Sequence, residues 1–87
     1  MPAFTLHSDP GHAWLAVSVQ DALALGLTPA SFSRYSYRRF DTLYLEEDRD
    51  AGVFCDAYVA RHGALPPFKE AHTDADSFVR RLARLPG

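Results

Sequence analysis

Within the sixteen residues Leu43–Tyr58, LYLEEDRDAGVFCDAY, the hydrophobic period of the chain changes. Leu43 and Leu45 alternate with Tyr44, which is the two-residue period of a half-buried strand. Ala51, Phe54, Cys55, Tyr58 and then His62 recur at the spacing of one helix face. Between the two runs stands an acidic knot of Glu46, Glu47, Asp48 and Asp50. A chain that switches from strand to helix over so short a stretch must lay helices against a sheet, which defines an α+β domain. Eighty-seven residues supply one modest core and not two, so residues 1–87 are expected to form a single domain.

The flanking sequence completes the sheet. Phe4–Ser8 and His12–Val17 surround Asp9-Pro10-Gly11, where Pro presets φ and Gly relaxes it. With Pro10-Gly11 as a two-residue loop, Leu6 faces Leu15 and Phe4 faces Val17 on one side; His7 opposes Trp14 and Thr5 opposes Ala16 on the other. A bulged or longer loop would shift that register by one. Gln20–Leu25 reads as a short helix ended by Gly26. Arg34–Arg38 and Thr42–Glu46 read as a second hairpin turning near Arg39-Phe40-Asp41. Asp48 or Asp50 can cap the main helix, and Gly63 with Pro66-Pro67 stops it. Phe68–His72 is a last strand. Thr73 or Asp74 could cap a final helix with Phe78, Leu82 and Leu85 on one face and Arg80, Arg81 and Arg84 in solvent. The expected fold is an antiparallel sheet of four or five strands with two or three helices packed on one face.

Composition narrows function by exclusion. A net charge of −2 gives no global pull toward nucleic acid or an anionic membrane. The uncharged stretch Ala22–Ser33 is too short and too rich in Gly, Pro and Ser to span a bilayer, and the N-terminus lacks a secretory signature. A single cysteine excludes an internal disulfide framework; Cys55 falls on the buried stripe, where a thiol has a raised pKa and little reactivity. No nucleophile elbow or glycine-rich phosphate loop is present, so no enzyme activity is expected.

Four constellations remain. The acidic knot exceeds what helix capping requires, and it reads either as a solvated helix start or as a surface for a cationic partner. His7, Asp9 and His12 cluster at the first turn, but their spacing matches no ligand pattern and the two imidazoles would point to opposite faces. No metal and no cofactor is therefore expected, and His7 and Trp14 read as a surface cross-strand pair. His72, Asp74 and Asp76 read as helix capping. Tyr35, Tyr37 and Tyr44 group across the second hairpin with Arg34, Arg38 and Arg39, a mixture that serves protein interfaces and base stacking alike.

Asp9-Pro10-Gly11-His12 with Trp14-Leu15, Tyr35-Ser36-Tyr37, Tyr44-Leu45-Glu46-Glu47-Asp48 with Asp50-Ala51, and His72 with Asp76-Ser77 resemble a family of small proteins encoded on phages and plasmids. The resemblance spans nearly the whole chain and brings no catalytic residues. The chain is also similar to the type I anti-CRISPR inhibitors of mobile elements, with a type I-C system as the implied target. That implies a protein of the bacterial cytoplasm that binds a Cas subunit of a Cascade complex and blocks target DNA by mimicking its charge. Tyr44, Glu46, Glu47, Asp48, Asp50 and Asp56 are the expected contact residues, with Tyr35, Tyr37, Arg38, Arg39, His7 and Trp14 as a secondary interface. Direct nucleic-acid binding is not expected in this reading. The alternatives are a small nucleic-acid-binding or regulatory protein of a phage or plasmid, and a metal-dependent hydrolase built on His7, Asp9 and His12. So small a sheet also offers an edge for homodimer formation.

Overall fold

The computed structural model describes residues 3–85. Its elements run β1 (Phe4–Ser8), β2 (Ala13–Ser18), α1 (Val19–Ala24), β3 (Tyr37–Arg39), β4 (Thr42–Glu46), α2 (Asp50–His62), β5 (Phe68–His72) and β6 (Ala83–Arg84). Two short 3₁₀ turns, Pro29–Ser31 and Phe78–Arg81, join them. The strands form a single six-stranded sheet in the order β5-β1-β2-β4-β3-β6.

The fold is α+β, with more strands than the sequence led us to expect. The first hairpin has the anticipated register, with Thr5 opposite Ala16, Leu6 opposite Leu15 and His7 opposite Trp14. Asp9 fixes this turn, because its Oδ1 accepts the backbone N–H groups of Gly11 and His12, both at 3.0 Å. In the second hairpin Arg39 pairs with Thr42, leaving a two-residue loop of Phe40 and Asp41. Residues 34–36 are turn rather than strand.

The sheet is mixed rather than antiparallel, because β5 runs parallel to β1 at the far edge. The connection through α2 accounts for this. Because β1 opposes β2 and β2 opposes β4, β5 runs the same way as β4. Two strands of one sheet that run the same way need a crossover of a dozen or more residues, and the 13-residue α2 supplies it. Gly63, at φ 78°, ends α2 in the left-handed region and donates its N–H to the Val59 carbonyl at 2.8 Å.

Two cores lie on opposite faces of the sheet, where chain length led us to expect one, because the C-terminal segment covers the second face. Leu15, Val17, Leu43 and Leu45 pack against Phe54 and Tyr58 of α2 and Ala22 of α1. Each fully buried Leu or Phe contributes about 1.5–3 kcal/mol, against about 0–1 kcal/mol for an exposed ion pair, so packing rather than charge places the acidic knot. On the other face Trp14, Tyr37 and Tyr44 meet Val79, with Ala16, Phe78 and Leu82 packed around them.

That second face is covered by the C-terminal segment, which is not the expected helix. Ser77, rather than Thr73 or Asp74, caps a single 3₁₀ turn through the Val79 N–H, and the chain then extends as β6 along β3. Phe78 and Leu82 stay on the second face, while Leu85 passes into the first core and donates its N–H to Ser36. Pairing satisfies the otherwise open edge of β3. A strand, β6, thus stands where the final helix was expected. Among the described residues, no helix is long and apolar enough to cross a membrane.

Candidate functional site

At one end of the second face the turns converge on a cleft of about 410 Å³, within the usual range of ligand-binding pockets. Trp14 and Tyr37 form its aromatic wall, with their ring centroids 6.2 Å apart in an edge-to-face arrangement. Tyr35, exposed on the loop before β3, flanks the opening. His12 enters from the first turn, and Glu46, Asp48 and Arg49 enter from the β4–α2 connection. Arg80 and Arg84 of the C-terminal segment complete the lining.

Local structure explains each placement. Glu46 is the register partner of Trp14 and shares the face of Tyr44, because Leu43 and Leu45 take the other face. Its Oε2 accepts the Asp48 N–H at 2.9 Å, which bends the connection sharply, and Glu47 donates its N–H to the Ala13 carbonyl. One donor atom each of His12, Glu46 and Asp48 lies within 4.8 Å of the other two. Arg80 places its guanidinium 5.3 Å from the Trp14 ring centroid, and Arg84 sits 5.3 Å from that of Tyr37.

Arg80 is held there by Asp9. The buried Asp9 carboxylate accepts two N–H bonds from Arg80, at 2.6 and 2.9 Å, and the Ser77 N–H at 2.9 Å. The guanidinium first, then these backbone N–H groups, hold the Asp9 carboxyl well below the usual carboxylate range. Gly11 leaves room for this pair, since a Cβ there would meet Arg80 Nη2 at 2.9 Å. Arg80 is thus a structural clamp and not one of three solvated arginines.

The acidic knot divides. Glu47 and Asp48 are exposed, and Glu46 lines the cleft; among the described residues none of the three forms an ion pair. Asp50 points inward, contrary to expectation, and is 1 % exposed. It accepts the Ser33 N–H at 3.0 Å, the Ser33 hydroxyl at 2.7 Å and the Ser36 hydroxyl. Neither Asp48 nor Asp50 caps α2; Arg49 is the cap residue and makes no side-chain capping bond. Tyr44 is likewise withdrawn from the surface, buried beneath Phe78 at a ring separation of 5.6 Å. Asp56 is exposed on α2 about 9 Å along the axis from Asp50 and lies outside the knot.

The secondary candidates separate in the same way. Trp14 is 2 % exposed and does not form a surface pair with His7. His7 sits half-buried against Tyr44 and Phe78, and burial pulls its pKa down. Tyr37 is buried in the cleft wall, while Arg38 and Arg39 are exposed at the second hairpin. The clustering of His7, Asp9 and His12 in sequence does not survive folding, because Asp9 is committed to Arg80 and His12 turns to Glu46 and Asp48. His72 and Asp74 pair at 3.2 Å on the surface, and Cys55 is half-buried with its pKa raised by that burial.

Sequence reading missed the cleft itself, and the inward course of Asp50 was available in it. Asp50 precedes Phe54 by four residues and Tyr58 by eight, on the same buried stripe. No family model, curated protein or solved structure matches the chain.

Proposed function

We propose that this protein is a non-enzymatic inhibitor of a type I CRISPR surveillance complex, docking an acidic rim on the cationic groove that receives target DNA. The observation that carries this reading is the state of Glu46, Glu47 and Asp48, three consecutive carboxylates without a cation partner among the described residues. Uncompensated charge of one sign steers association with a surface of the other sign and opposes phosphates for the same contacts. The resemblance to anti-CRISPR inhibitors supplies the class of partner. The contact set is Glu46, Glu47 and Asp48, with Tyr35 beside them and Asp56 farther along α2; Asp50 and Tyr44 serve the fold.

A gel shift with a purified type I surveillance complex and its target DNA tests the reading. The parent protein should abolish the complex–DNA band, and E47K/D48K should restore it. Equal inhibition by the charge-reversed protein refutes the acidic rim as the contact.

A second reading, a small nucleic-acid-binding or regulatory protein, is favoured by the exposure of Arg38, Arg39 and Phe40 together at the tip of the second hairpin. Its signature in the same gel is a DNA shift by the protein alone that weakens steeply as salt rises.

A further inference from the structure

We propose that His12, Glu46 and Asp48 form a binding site for a divalent transition-metal ion at the mouth of the aromatic cleft. Their donor atoms come from two separate connections, the first turn and the β4–α2 bend, and converge within 4.8 Å. Ligand atoms about 2.0–2.2 Å from a metal stand roughly 3–4 Å from one another, so modest side-chain rotations close the triangle on an ion. His12 and Asp48 are exposed and can make them.

The second observation is that these donors are uncommitted. The only hydrogen bond to the Glu46 carboxylate among the described residues is to Oε2, from the Asp48 N–H. The Glu46 Oε1, the Asp48 carboxylate and the His12 ring take no hydrogen bond there. The Asp9 carboxylate, by contrast, accepts on both oxygens, from Arg80 and from three backbone N–H groups. Two neighbouring carboxylates repel one another, and a cation between them relieves that repulsion. The arginines of the cleft do not supply it. Arg80 is held by Asp9, Arg84 lies over Tyr37, and no arginine nitrogen comes within 4.0 Å of either carboxylate among the described residues.

One imidazole with two carboxylates suits Zn²⁺, Mn²⁺ or Co²⁺, whereas Mg²⁺ and Ca²⁺ favour all-oxygen shells. Three protein ligands leave coordination positions open toward the cleft. The site is separable from the acidic rim: His12 belongs only to the metal site and Glu47 only to the rim.

Isothermal titration of the tag-free full chain with Zn²⁺ and with Mn²⁺ tests the proposal. Co²⁺ quenching of Trp14, the sole tryptophan, whose ring centroid is 5.9 Å from that of His12, gives a local readout. One saturable site per chain is expected, with Trp14 emission quenched in step. H12A, E46Q and D48N, each checked for native circular dichroism, should weaken binding at least about ten-fold. H72A, which removes the surface pair with Asp74, should leave it unchanged. Absence of saturable binding at millimolar Zn²⁺ and Mn²⁺, parental affinity in H12A, or loss of binding in H72A overturns the site.

Discussion

Replacing Asp50 separates an acidic surface from an acidic strut. In D50A the Ser33 N–H, the Ser33 hydroxyl and the Ser36 hydroxyl all lose their acceptor. Ser36 is fully buried and finds no substitute, while half-buried Ser33 can turn partly to water. An unmet buried donor costs about 1–3 kcal/mol, so the variant should lose about 3–4 kcal/mol. Small domains hold only about 5–15 kcal/mol in total, so D50A should give up a large part of the stability of the fold. D50N keeps an oxygen in place and gives up the charge, for a loss of about 1–2 kcal/mol. At about 4–8 °C per kcal/mol, its melting temperature should fall by roughly 5–15 °C. Circular dichroism melts of D50A, D50N and the surface control E47Q measure this, with E47Q expected within about 0.5 kcal/mol of the parent. Should D50A melt with E47Q, the serine network is dispensable and Asp50 is free to belong to a contact surface after all.

Two further perturbations probe the frame around the cleft. The folded-state pKa of Asp9 lies below its unfolded value, so the stability it lends is fully present above the ordinary carboxylate pKa, about 3.9, and is lost as pH falls toward the folded value. Urea midpoints measured from pH 6 down to pH 2 should therefore fall less steeply in D9N than in the parent, and parallel slopes would refute the linkage. Phe40 is 87 % exposed and holds φ 53° at the first position of its two-residue loop, where a II′ turn calls for Gly. F40G should raise stability by about 1 kcal/mol, read as a higher melting temperature, and a lower one would show that the Phe40 ring makes a stabilising contact.

Local patterning made much of the fold legible. Alternation around Asp9-Pro10-Gly11 determined the first hairpin, because a shift of one residue would turn Leu6 and Leu15 away from the core. The 3.6-residue stripe of Phe54 and Tyr58 determined α2 and its buried face, and Gly63 determined where it stops. The cleft was not legible in the same way. Trp14, Tyr37 and Glu46 share a face through strand pairing, whereas Arg80 arrives from a segment 71 positions away from Asp9, which holds it. Periodicity records which residues face inward together and is silent on what lies across from them.

The C-terminal segment marks that boundary most clearly. Phe78, Leu82 and Leu85 have helical spacing, yet a single 3₁₀ turn and β6 form there. Local propensity is worth fractions of a kcal/mol per residue, roughly 0–0.7. Covering an apolar sheet face, pairing the edge of β3 and meeting Asp9 with Arg80 act together against it. The parallel course of β5 has a similar origin, in the crossover that α2 makes between β4 and β5. The sequence alone determined the first hairpin, α2 and the apolar face they share, because those depend on neighbours along the chain. Tertiary structure decided which carboxylates reach solvent, which are consumed inside and which gather with His12, because those outcomes depend on partners distant in sequence.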